Sequence, residues 1–232
     1  MTEVQHKDSH TRFNSVDWFG DFREITIGGV GTIGSWLSLL LARTGEHELI
    51  MYDDDKVEGI NLSGQLFSKD DVGKSKTDSA RDNIFSFTEI SDQKVHSMNQ
   101  KLTSESYVSA IAFSCFDNMK ARKEMFKKWK TLENRELFID GRMTIETYEV
   151  YVVKKGDEER YEKTLFNDSQ VGEQICSLKN TSHTGALIAA RMVTSFTNHI
   201  ANGLMGIDIR EVPFHFREDM QLQLITMECQ QK

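Results

Sequence analysis

EITIGGVGTIGSWLSLLLARTG, residues 24–45, carries the reading of the fold. Its first six residues, EITIGG, have the continuous apolar character of a buried strand that runs into glycine. From Thr32 to Gly45 the pattern becomes helical: Ile33, Trp36, Leu37, Leu40 and Leu41 share a face, and Gly45 ends the run. Between the two lies Gly29-x-Gly31-x-x-Gly34. Gly29 permits a tight bend, Gly31 a close approach to the backbone, and Gly34 close helix–strand packing. A helix N-terminus at such a turn presents unpaired N–H groups and a partial positive charge, which suits a pyrophosphate. A sharp turn without a ligand is the other reading of the same residues.

Outward from this stretch, strand and helix alternate. ELIMYD (48–53) reads as a second strand ending in acid, followed by a polar loop to about Gly73 and a helix from Ser75 to about Thr88. KVHSMNQ (94–100) is a weak third strand, SAIAFSCFD (109–117) a better one that again ends in acid, and 118–132 a helix. ELFIDGRM and TYEVYVVKK, with a short turn between them, read as an antiparallel pair. A long helix over 184–206 and two late strands near 211–217 and 221–227 complete the pattern. The class is α/β: a Rossmann-like, mostly parallel sheet flanked by helices, with additional antiparallel strands in the C-terminal half.

Composition narrows the function. The net charge of −8 argues against a nucleic-acid partner. The basic run KARKEMFKKWK (120–130) reads as the solvated face of an amphipathic helix whose apolar side is Met119, Met125, Phe126 and Trp129. Three dispersed cysteines form no Cys-x-x-Cys, which excludes a thiolate zinc site of the usual spacing. Their odd number and the lack of a signal-peptide pattern predict a reducing, cytoplasmic setting. The longest apolar run, Leu37–Ala42, is too short to span a membrane. Pro213 is the one proline.

In a parallel sheet, ligands bind beyond the carboxyl ends of the strands. The glycine turn, Asp53 and Asp117 all fall at such ends. Asp53, 24 residues after Gly29, suits the hydroxyls of a ribose, in NAD and ATP alike; Asp54 and Asp55 also read as plain turn residues. The stretch DDDKVEGINLSGQLFSKDDVGKSK (53–76) then places Asn61, Gln65 and Gly73-x-x-Lys76 in a loop able to fold over phosphates. Lys76 opens a helix with few acids nearby in sequence, so its ammonium reads either as a phosphate contact or as a surface lysine. Asp117 reads as a hard-cation ligand or as the cap of the following helix.

GGVGTIGS, YDDDKVEGINLSGQ, VGKSK and CFDN resemble, in order, the motifs of the ThiF/MoeB/ubiquitin-activating-enzyme superfamily, over roughly residues 24–206. The resemblance implies a single ThiF-like adenylation domain over 1–232. It would have an N-terminal arm (1–23), a nucleotide-binding half (24–140), and a part holding the antiparallel strands, a crossover loop and the C-terminal helix (141–232). It implies an ATP- and magnesium-dependent enzyme, usually a homodimer. Its substrate would be the C-terminal glycine of a ubiquitin-like or sulfur-carrier protein, or a peptide or small carboxylate. By position, Gly29, Gly31, Thr32 and Gly34 would form the phosphate turn, Asp53 would hold the ribose, Asn61 would help shape the phosphate site, and Asp55 and Gln65 would be among the cofactor-binding residues. Lys76 would contact phosphates and Asp117 would bind magnesium.

Two positions depart from the family pattern: Thr32 stands for its second glycine, and Gly64 for an arginine that contacts the phosphates. Arg12, in TRFNS, resembles the arginine supplied by the partner subunit; Arg23 and Arg142 are other candidates. The family's zinc-binding cysteine pairs are absent. Cys176, in GEQICSLKNTSHTGALIAA, falls where some members form a thioester, and His183 would lower its pKa; a structural thiol is the other reading. Cys115 reads as core and Cys229 as a surface thiol. The expected function is carboxylate adenylation. The alternatives are an ATP- or AMP-binding module without chemistry and an NAD-dependent oxidoreductase.

Overall fold

The computed structural model describes residues 10, 12, 13, 15–144, 146–167 and 181–230. The strands are β1 (Glu24–Gly28), β2 (Glu48–Tyr52), β3 (Val95–Met98), β4 (Ile111–Ser114), β5 (Leu137–Thr144), β6 (Thr147–Lys154), β7 (His215–Asp219) and β8 (Leu224–Glu228). The helices are α1 (Gly34–Thr44), α2 (Lys76–Phe87), α3 (Met119–Lys130), α4 (Glu158–Glu162) and α5 (Ser182–Met205). One eight-stranded sheet has the order β3-β2-β1-β4-β5-β6-β7-β8. β1 to β5 pair in parallel, and β6 to β8 continue the sheet antiparallel, as the alternation predicts.

The period-2 alternation of strand side chains sorts the core into two layers. Ile25 and Ile27 of β1, Leu49 and Met51 of β2, and Ile111 and Phe113 of β4 face α1, α2 and α5, where Leu37, Ile84, Met192 and Phe196 meet them. Ile50, Tyr52, Ala112 and Phe138 face the other way, onto Met125, Phe126 and Trp129 of α3 and Tyr161 of α4. The lysines of the basic run therefore lie on the outer side of a helix anchored by its apolar face, as its sequence indicates, but Arg122 departs from that reading: it is buried and pairs with Asp140. No helix among the described residues is long and apolar enough to cross a membrane.

Several boundaries shift by a few residues from the sequence pattern, two of them for a visible reason. α1 begins at Gly34 because Thr32 and Ile33 belong to the turn, Ile33 being the residue before the first helical position. β7 begins at His215 rather than near 211, since Pro213 has no N–H to give to a ladder.

His47, between α1 and β2, is buried among Phe22 and Phe196, and its Nδ1 accepts the Arg23 N–H at 3.1 Å. Burial pushes its pKa down from 6.5 to about 4. The folded chain thus takes up this proton at lower pH than the unfolded chain, so the contribution is present above pH 6.5 and is lost as pH falls toward 4. Urea unfolding at pH 7 and pH 5 should show a destabilisation that is smaller in His47→Asn than in the wild type by about 2 kcal/mol.

Candidate active site

The sheet order reverses beside β1, whose neighbours are β2 on one side and β4 on the other, and a crevice opens at the carboxyl ends of such strands. A cleft of about 440 Å³ lies there. Gly29 and Gly31 come to it from the β1–α1 turn, Asp53, Asp54 and Asp55 from the exit of β2, and Lys76 from the start of α2. Gln100 to Thr103 after β3, and Phe116, Asp117, Lys120 and Glu124 after β4, form the remaining walls. The glycine turn, Asp53, Asp55, Lys76 and Asp117, picked out by sequence, thus meet in one place.

The turn separates two kinds of glycine. Gly29 adopts φ +85°, a backbone that side-chained residues rarely take, and donates its N–H to Tyr52 O at 2.9 Å. A Cβ on Gly34 would overlap the Gly29 carbonyl, 2.9 Å from its carbon. Protein packing therefore requires both. Among the described residues, a Cβ on Gly31 would meet nothing closer than Gln65 Nε2, at 3.8 Å, so the room at Gly31 is open to the cleft. Beside this turn Thr32 Oγ1 and Gln65 Oε1 are buried without a hydrogen-bond partner among the described residues, a demand that a bound polar group or water would meet.

Asp53 ties the exit of β2 to the turn: Oδ2 accepts the Val30 N–H at 2.7 Å and Oδ1 the Asp55 N–H at 2.9 Å. Burial pushes its carboxyl above the usual range, against the opposing pull of Lys76 and these two N–H groups. Each oxygen keeps acceptor capacity for a further donor. Lys76 is not a surface lysine; it is 7% exposed. Nor does it lack acids: Nζ donates to Asp55 Oδ2 at 2.7 Å, and its backbone N–H to Asp55 O at 3.0 Å. The loop folds back to bring together residues that sequence spacing keeps apart. Asp117 is exposed, and the cap of α3 is Asn118, whose Oδ1 accepts the Ala121 N–H at 2.8 Å. Asn118 also donates to Asp117 Oδ1 at 3.1 Å. Capping is thus not the task of Asp117.

The other predicted residues stand elsewhere. Thr32, Gly34, Asn61 and Gln65 are not among the lining residues. Asn61 is occupied in a short 3₁₀ turn, where its Oδ1 accepts the Glu58 N–H at 2.8 Å. Gly64 accepts a bond from Trp36 Nε1 at 3.3 Å. Arg12 is exposed and does not line the cleft of its own chain. Arg23 precedes β1, at the opposite end of the sheet, and pairs with Asp21 at 2.7 Å and Glu136 at 2.8 Å. Arg142 is held by Asp140 at 2.7 Å and by Thr164 O at 3.0 Å. Among the described residues no arginine lines the cleft. Cys115 does, but it is 6% exposed and burial pushes its thiol up to about 12, so it is core, as expected, and no nucleophile. Cys229 is exposed. Cys176 lies outside the described residues.

Sequence reasoning missed the Gln100–Thr103 wall together with Lys120 and Glu124. The signal was there for the first: the exit of a third parallel strand must lie on the same rim as the exits of its neighbours.

The model of the ThiF family matches residues 21–229. The ubiquitin-like modifier-activating enzyme 5 of Drosophila persimilis is 28% identical over 138 residues, taking in 51% of this chain and 35% of that protein. The sulfur carrier protein ThiS adenylyltransferase of Escherichia coli (strain K12) is 31% identical over 109 residues, taking in 44% of this chain and 42% of that protein. The chain thus spans well under half the length of these curated relatives. Among solved structures, that of PaaA superposes with a TM-score of 0.65 at 19% identity, covering 89% of this chain and 64% of that one. The structure of Escherichia coli MccB with ATP gives 0.62 at 17% identity, covering 89% and 63%. At such identities these two likenesses are of fold.

The two kinds of glycine separate by experiment. Gly34→Ala should lower stability by about 1–3 kcal/mol or more, the usual cost of overpacking against backbone. Gly31→Ala should change it by less than about 1 kcal/mol. Urea unfolding curves of the two variants measure both.

Proposed function

The chain belongs to the ThiF family, and from that premise we propose that it is an ATP-dependent adenylyltransferase acting on a carboxylate. One observation carries the reading: the open room at Gly31, Asp53, the buried ammonium of Lys76 and Asp117 surround one cleft at the switch point of the sheet. In the proposed reaction a carboxylate oxygen bonds to the α-phosphorus of ATP, the bond to the bridging oxygen breaks, and pyrophosphate leaves with that electron pair, yielding an acyl-adenylate. The protein's part is positioning and charge neutralisation. The N–H groups of the glycine turn receive phosphate oxygens, Asp53 accepts from the ribose, and Lys76 exchanges Asp55 for phosphate.

The charge of the cleft supports a divalent cation. Among the described residues, Asp53, Asp54, Asp55, Asp117 and Glu124 face only Lys76, Lys101 and Lys120, so a triphosphate would enter a site already net acidic. Asp117, exposed and free of capping duty, fits a magnesium ion, which would supply positive charge beside the phosphates. The proposed substrate is the C-terminus of a ubiquitin-like or sulfur-carrier protein, or a peptide or small carboxylate. A homodimer belongs to the proposal, because Arg12 of the partner subunit would then add the guanidinium that Gly64 lacks. A transfer to Cys176 and a cytoplasmic location belong to it too.

A second reading has its own support. With Gly64 in place of the family's arginine and no arginine lining the cleft among the described residues, the chain would bind ATP or AMP and leave it unreacted. Exchange of labelled pyrophosphate into ATP, with candidate carboxylate partners present, separates the two. The adenylating reading expects exchange in the wild type and a loss of about 10²–10³-fold in Asp117→Ala. ATP binding without exchange for any carboxylate would favour the second reading.

A further inference from the structure

Two walls of the cleft are joined from behind by a single carboxylate. Asp78, in the first turn of α2, accepts the Ser75 hydroxyl at 2.6 Å and Asn99 Nδ2 at 2.9 Å through Oδ2. Its Oδ1 accepts the Ser97 hydroxyl and faces the Arg81 guanidinium at 3.6 Å. The Thr77 hydroxyl adds a bond to Asn99 Oδ1. Ser75 is the cap residue directly before Lys76, and Asn99 directly precedes the Gln100–Thr103 wall. An acid in a first helical turn needs none of these partners to favour the helix dipole. Here its acceptors reach across to β3 and the residue that follows it. Those hydrogen bonds hold the carboxyl at about 2, so the clamp is ionised throughout the working pH range.

We propose that Asp78 is a positioning residue for Lys76. By fastening the first turn of α2 to the exit of β3, it sets where the Lys76 ammonium stands against the Gln100–Thr103 wall, and hence against the phosphates of a nucleotide in the cleft. The last clause rests on the nucleotide reading above; the clamp itself does not. Asp78→Asn keeps the shape but replaces one acceptor by an NH₂ donor, which meets the Asn99 donor if it stands at the Oδ2 position and the Arg81 donors if it stands at the Oδ1 position.

The test is the acetylation rate of individual lysines by N-hydroxysuccinimidyl acetate in the full chain, read by peptide mass spectrometry. In the wild type Lys76 should react slowly, being buried and paired with Asp55, while Lys123 and Lys130 of α3, on the other face of the sheet, serve as references. Asp78→Asn is expected to raise the rate at Lys76 roughly tenfold, for the loss of charge-assisted hydrogen bonds, with the references unchanged. An unchanged rate at Lys76, or a rise shared by all lysines, overturns the proposal. Should Asp78→Asn not fold, Ser97→Ala removes one arm and is expected to give about a threefold rise at Lys76, and no rise overturns the proposal equally. Magnesium-ATP should slow Lys76 labelling further in the wild type. If it does not, the nucleotide reading of the cleft fails, while the clamp still stands or falls on the first measurement.

Discussion

Nothing larger than a hydrogen atom fits between the Gly34 α-carbon and the Gly29 carbonyl. That clearance lets β1 turn into α1 across residues 29–33, with the helix opening at the rim of the sheet. Much else depends on it. The Val30 N–H is presented to Asp53, which pins the exit of β2 beside the turn. On the other side the start of α5 packs on the same turn so closely that a Cβ on Gly185 would stand 2.6 Å from Thr32 O. The site and the core share this one close contact.

The charges divide into two zones with different logic. The cleft is solvated and net acidic, so its groups answer to whatever enters. Beneath it lies a closed set: Asp140, with no exposed surface, accepts from Arg122, from Arg142 at 2.7 Å and from Tyr161 OH at 2.9 Å. Arg122 also donates to Phe116 O and, at 3.1 Å, to Gly141 O, which holds the backbone just before Asp117. Burial lowers its pKa to about 10, still well above neutrality. Buried charge needs such partners, and here two guanidiniums share one carboxylate while Arg122 Nε has no partner among the described residues, so removing Asp140 would strand both arginines. This is why Arg142, which sequence offers to the nucleotide, is claimed by the protein instead.

How far the site was legible follows from the range of each interaction. Lys76 at a helix start and Asp53 at a strand end are local facts, and the structure places both in the cleft. The pairing of Lys76 with Asp55 joins residues 21 apart through a loop of irregular backbone, which no periodicity describes. The capping of α3 by Asn118 rather than Asp117 was a choice between adjacent residues of nearly equal propensity, decided by which side chain reaches the Ala121 N–H. The clamp at Asp78 was invisible for a further reason: its partners Ser97 and Asn99 sit on and just after a different strand.

By itself the sequence determined the α/β class, the order of parallel and antiparallel strands, the glycine turn and the rim on which chemistry would gather. These follow from alternation, apolar periodicity and the steric demands of glycine, all of which act over a few residues. Only the tertiary structure decided which charged groups face the cleft and which are consumed beneath it. That depends on burial and on partners brought together from distant segments, and a charge finds its partner only after the backbone has brought the two together.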